Sequence, residues 1–120
     1  MKLPLMKMIG SIAATVALGC ATSPAHASSA APGLASVILG TSYGVVIFNQ
    51  SGARTTPPSC QGATIPTRWA IDVTTPSGQA MAAVLLSDYA QNKQIIVVGS
   101  GACSTAQPDT ETVVYLGTPN

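Results

Sequence analysis

Hydrophobic residues in this chain arrive in short bursts separated by glycine, proline, serine and threonine, and the spacing inside each burst predicts its form. Val37-Ile38-Leu39 and Val45-Val46-Ile47-Phe48 are β-branched or aromatic runs on either side of Gly40-Thr41-Ser42-Tyr43-Gly44, the pattern of a hairpin with a five-residue loop. Between Ser51 and Pro66, proline and glycine are too dense for a strand, so a loop is expected there, pinned at Cys60. Trp69 to Val73 alternates bulky with small or polar residues and reads as a third strand. Thr75-Pro76 then signals a helix, with threonine as the N-cap and proline at the first helical position. Met81, Val84, Leu85 and Tyr89 form its expected apolar stripe, Asn92 its left-handed stop, and Lys93 a cation at its negative end.

Ile95-Ile96-Val97-Val98 follows as a continuous apolar strand expected to be buried on both faces. Gly99-Ser100-Gly101 is expected to end it, and Thr112 to Leu116 forms the last strand. The order strand, strand, strand, helix, strand, strand is that of a five-stranded Greek-key barrel, the oligonucleotide/oligosaccharide-binding (OB) architecture. The expected fold is therefore mainly β with one helix, an OB-like barrel closed by one disulfide; a half-open sheet crossed by one helix is the structural rival.

The first 27 residues do not belong to that pattern. Lys2 and Lys7 precede an uncharged stretch from Met8 to Leu18, and Ala25-His26-Ala27 follows, the order of a cleavable secretory signal. The stretch is 11 residues long, whereas crossing a bilayer takes about 20, so no membrane insertion is expected. Ala17-Leu18-Gly19-Cys20 offers a rival processing site resembling a lipoprotein box, with anchoring at Cys20. The expected organisation is a signal peptide at 1–27, a flexible lead-in at 28–34 and the OB-like domain at 35–118, in a periplasmic or secreted protein.

Export gives the cysteines their meaning, because outside the cytoplasm two remaining thiols are most simply a disulfide. Cys60 and Cys103 are the expected pair. Beyond the signal the charges are Arg54, Arg68 and Lys93 against Asp72, Asp88, Asp109 and Glu111, a near balance with no basic patch for nucleic acid.

Candidate chemistry is sparse. The sole histidine, His26, falls inside the signal, so histidine-dependent nucleophilic catalysis and histidine-ligated metals are excluded from the processed chain. No cofactor, no metal and no catalytic residue is expected. Asp109 and Glu111 are two apart, as paired acid/base carboxylates are, but the plainer reading has Asp109 in a turn and Glu111 facing solvent or pairing with Arg68 or Arg54. Trp69 is expected in the core. Tyr43, at the hairpin tip, is the candidate ligand-contacting aromatic.

Arg68-Trp69-Ala70-Ile71-Asp72, Thr75 to Met81, Val98 to Cys103 and Asp109-Thr110-Glu111 together resemble a set of short exported proteobacterial proteins, mostly uncharacterised. More distantly, a cysteine, a Trp-led strand, an Ala-rich helix and an apolar strand are similar to the B subunits of AB5 toxins of the subtilase-cytotoxin and pertussis type. That resemblance implies an OB fold, a homo-oligomer and glycan binding, with no sugar-contacting residue transferable to this chain. The expected function is an exported non-enzymatic binding module for a glycan or a protein partner; the rival is a periplasmic interaction domain without a small ligand, its partner docking on a sheet edge.

Overall fold

In a computed structural model, described for residues 26–120, the chain is mainly β with one helix. The expectations of a signal peptide and of lipidation at Cys20 fall, apart from His26 and Ala27, outside the described residues. Six strands and the helix follow in the order β1 (Ser29–Gly33), β2 (Ala35–Gly40), β3 (Val45–Gln50), β4 (Arg68–Asp72), α1 (Pro76–Ala90), β5 (Ile95–Cys103) and β6 (Glu111–Gly117). They form one sheet ordered β1-β5-β6-β4-β3-β2, antiparallel except where β4 meets β6 at Ala70 and Thr112.

This corrects the expected five-stranded closed barrel, since the sheet has six strands and its ladder is open. The chain passes from β1 to β2, the two ends of the sheet, through Leu34 alone. A sheet whose opposite edges are one residue apart in sequence must curl, and this one does. Ala31 N donates to Ala53 O at 2.9 Å, and Ala30 pairs with Arg54 just beyond β3. Gly52 sits at the crossing, where a Cβ would lie 1.9 Å from the Ala31 carbonyl oxygen, so no side chain fits.

The stretch 28–34 is therefore no flexible lead-in. Ser29 and Ala30 pair with Val98 and Val97 of β5, and small side chains permit that close approach. Gly99 to Gly101, expected as a break, lie within β5, which runs on through irregular register to pair Cys103 with Glu111. The glycines are there for a buried neighbour, described below, and not to end the strand. Ile95 and Val97 are buried while Ile96 and Val98 are half-buried, so β5 alternates and is not buried on both faces.

The helix begins as expected, with the Thr75 hydroxyl accepting from Gly78 N at 3.0 Å, and Asn92 takes a left-handed φ of 54° just past its end. Its inward face differs from the expected stripe. Gly78, Leu85 and Asp88 are buried with Met81 half-buried, whereas Val84, Leu86 and Tyr89 are exposed. Asp88 takes an inward position because the Thr118 hydroxyl donates to its Oδ2 at 2.6 Å, tying down the C-terminal segment. Leu85 joins Phe48, Trp69, Ile71, Ile95 and Val97 in the core, and Phe48 stands directly opposite Trp69 across β3 and β4.

Candidate functional site

Two places among the described residues carry more than packing. The first is a buried polar knot around Glu111, at the start of β6, which is fully shielded from solvent. Its Oε1 accepts from Arg54 Nη2 at 2.9 Å and from the Ser28 hydroxyl; its Oε2 accepts from Gly101 N at 2.9 Å and Ser28 N at 3.1 Å. A buried carboxylate needs such compensation, since charge taken out of water without partners is strongly unfavourable. Gly99 makes the space, because a Cβ there would stand 1.8 Å from Glu111 Oε2.

Arg54 is held as thoroughly. Its Nε donates to the Ser28 hydroxyl at 3.0 Å, its Nη1 to the carbonyls of Pro66 and Arg68 at 2.8 and 3.1 Å, and its guanidinium lies 3.7 Å over the Trp69 ring. Burial pushes its pKa below the ordinary arginine value, and the Glu111 carboxylate opposes that shift. Gln61 completes the knot, its Oε1 accepting from Glu111 N at 2.7 Å. Arg54 and Gln61 both come from the turn-rich loop between β3 and β4, which is fastened at Cys60.

Cys60 and Cys103 are joined as expected, with Cα atoms 6.1 Å apart. Cys103 is the β5 partner of Glu111, so the disulfide binds the loop that supplies Arg54 and Gln61 to the strand pair that holds the carboxylate. Closing a 43-residue separation stabilises the fold by about 4 kcal/mol through loop-closure entropy.

The remaining sequence candidates separate. Asp109 does not join Glu111: its Oδ1 takes Arg68 Nη2 at 2.6 Å and Gln107 Nε2 at 2.8 Å on the surface. The Gln107 hydrogen bond first, and Arg68 with it, holds its carboxyl below the usual range. Glu111 pairs with Arg54 and does not face solvent. Trp69 is buried in the core, its Nε1 without a hydrogen-bond partner among the described residues. Among those residues there is no group of three or more metal-ligating side chains, and no helix long and apolar enough to cross a membrane.

The second place is the outer edge of β2. The matching edge of β1 is covered, because Ala53 O takes Ala31 N and Thr55 N donates to Ser29 O at 2.9 Å. Beyond β2 no strand follows among the described residues. Val37 is 59% exposed and Leu39 55%, and Tyr43, in the turn to β3, is 69% exposed. Val37 also has a φ of 48°, where the β2–β3 register shifts. A β-branched residue in that left-handed region is strained, by about 1–3 kcal/mol.

The sequence paired the two cysteines and offered Arg54 as one partner for Glu111, but gave no role to Ser28 or Gln61, which sit in stretches read as lead-in and loop. The one available signal was charge: with four acids beyond the expected signal, an arginine in a loop has few partners. No family model, no curated protein and no solved structure matches this chain.

Proposed function

We propose that this chain is an exported, non-enzymatic binding module that takes an extended apolar segment of a protein partner along the open edge of β2. The observation that carries the reading is Val37, an aliphatic side chain held outward by a strained backbone on the end strand of the sheet. Strain of this kind persists where the surrounding structure imposes it, and such positions cluster at binding and switch sites. Free N–H and C=O groups on an end strand supply main-chain pairing, and Val37, Leu39 and Tyr43 supply apolar contact. The helix between β4 and β5, the β2-β3-β4 meander and the parallel β4–β6 pair support an OB-like connectivity without closure. Against catalysis stand the carboxylates themselves: each of Glu111 and Asp109 is engaged by an arginine and by further donors, which leaves neither as a free general base.

Selection of apolar peptides from a displayed library, followed by NMR mapping on the ¹⁵N-labelled protein, tests this. Shifts confined to Ala35–Gly40 and the Tyr43 turn are expected. Shifts elsewhere, or no selected peptide, would remove the reading. The glycan version implied by the toxin resemblance rests on Tyr43, and a positive glycan array with β2 unperturbed would put it in first place. Light scattering at rising concentration identifies a second copy of the chain as the occupant.

A further inference from the structure

The Glu111 knot is asymmetric in charge. Arg54 serves Oε1, whereas Oε2 receives only two neutral backbone donors, Gly101 N and Ser28 N. Ser28 N is also the nitrogen of the peptide bond at which the signal is expected to end, after Ala27. Two independent readings, one from sequence and one from geometry, thus meet on a single atom 3.1 Å from a buried carboxylate.

We propose that cleavage between Ala27 and Ser28 creates a built-in ion pair, in which the new α-ammonium of Ser28 donates to Glu111 Oε2 and completes the knot. The inference rests on the export reading. The step is a hydrolysis: the Ala27–Ser28 C–N bond breaks, the hydroxyl of water goes to the Ala27 carbonyl carbon and its proton to the nitrogen, and the new Ala27 carboxylic acid ionises, releasing the further proton that makes the amine an ammonium. A neutral amide donor becomes a charged one on the same oxygen, and charge-assisted hydrogen bonds are roughly twice as strong as neutral ones. His26 and Ala27 line a groove of about 860 Å³ with Thr55, Pro57, Cys60 and Gly101. Their departure takes away one wall, and the other ammonium protons face the space they leave.

The burial also sets an order of events. Ser28 is fully buried, its carbonyl accepts from Gly99 N at 2.8 Å, and its hydroxyl is shared between Glu111 and Arg54. A peptidase cannot reach that bond in the folded chain, so cleavage precedes folding and the fresh terminus is threaded into place as β1 pairs with β5.

The processed chain offers a direct test because it holds two amines, the Ser28 terminus and Lys93, whose side chain is exposed. The full chain is exported from a bacterial host, and its N-terminus is read by sequencing and intact mass. A start at Ser28 is expected; a start at Cys20, or an intact precursor as the stable product, overturns the proposal together with the export reading. The exported protein is then treated with a limiting amine-reactive ester near neutral pH, folded and in denaturant. In denaturant the α-amine reacts ahead of Lys93, because its ordinary pKa is about 7.7–8.0 against about 10.4. Folding is expected to reverse that order, and E111Q, if it folds, to restore it. An unchanged order in the folded protein overturns the ion pair while leaving export standing, so the two failures are distinguishable.

Discussion

Two regions of this curled sheet, the start of β6 and the outer edge of β2, treat polar and apolar groups in opposite ways. Around Glu111 a charged side chain is sealed from water and each of its oxygens has two donors, whereas along β2 aliphatic side chains stand in water beside an unpaired strand edge. Both arrangements cost free energy locally, and both persist because the fold imposes them. The knot ties the loop after β3 to β1, β5 and β6, so its cost is offset by holding four segments together. The β2 edge ties nothing within the chain, which is why it reads as a surface for something outside it.

Breaking the knot should have the largest effect. Glu111→Gln keeps the shape but leaves the Arg54 charge buried without its partner, and is expected to cost about 3–5 kcal/mol. Chemical denaturation of the purified variant checks this, and a loss below about 1 kcal/mol would mean that the ion pair is not the centre of this region. Removing the bridge by Cys60→Ser with Cys103→Ser should cost about 2–5 kcal/mol, measured the same way. The hydrogen bonds of Arg54 to Glu111 should be lost early in that variant, visible by NMR, because the loop bearing Arg54 is no longer fastened.

Along β2 the sign reverses. Val37→Gly relieves a left-handed valine and is expected to raise stability by about 1 kcal/mol, while abolishing the affinity of any peptide selected on β2. If stability falls, the backbone there is not strained in the sense argued. The smallest effect is acid sensitivity outside both regions. Asp72, through hydrogen bonds from the Thr74 hydroxyl and backbone, and Asp109, through Gln107 and Arg68, both hold carboxyls below the ordinary range. A depressed folded value contributes stability that is present above about pH 4, the unfolded range, and is lost as pH falls through the lower folded values. Both groups are exposed, so the decline is shallow and screened by salt. Melting curves from pH 7 to pH 3 should show it, and Asp109→Asn should flatten it.

Much of the architecture was legible along the chain. β-branched runs and the alternation from Trp69 named five of the six strands, threonine before proline set the start of the helix, and the two cysteines beyond the expected signal predicted their own bridge. What escaped did so for identifiable reasons. Ser29–Gly33 has no bulky residues and so no strand signature, yet it pairs because small side chains suit the crowded crossing at Gly52. Gly99 and Gly101 looked like a strand end because a glycine kept for a neighbour's carboxylate has the same spelling as one kept for a turn. Val84 and Tyr89 obey helical spacing as well as Leu85 does, but only the face toward β4 and β6 is covered.

Local patterns decided where strands and helix form, since backbone preference and side-chain periodicity act within a few residues. The sequence also supplied the disulfide partners, because only two cysteines remain beyond the expected signal. Which edge is covered, which carboxylate is buried, and that Ser28 N lies against Glu111 were decided only in three dimensions. Those depend on residues as far apart as Ser28 and Glu111, 83 positions along the chain, brought together because β1 and β6 both pair with β5, and no local preference encodes a contact at that distance.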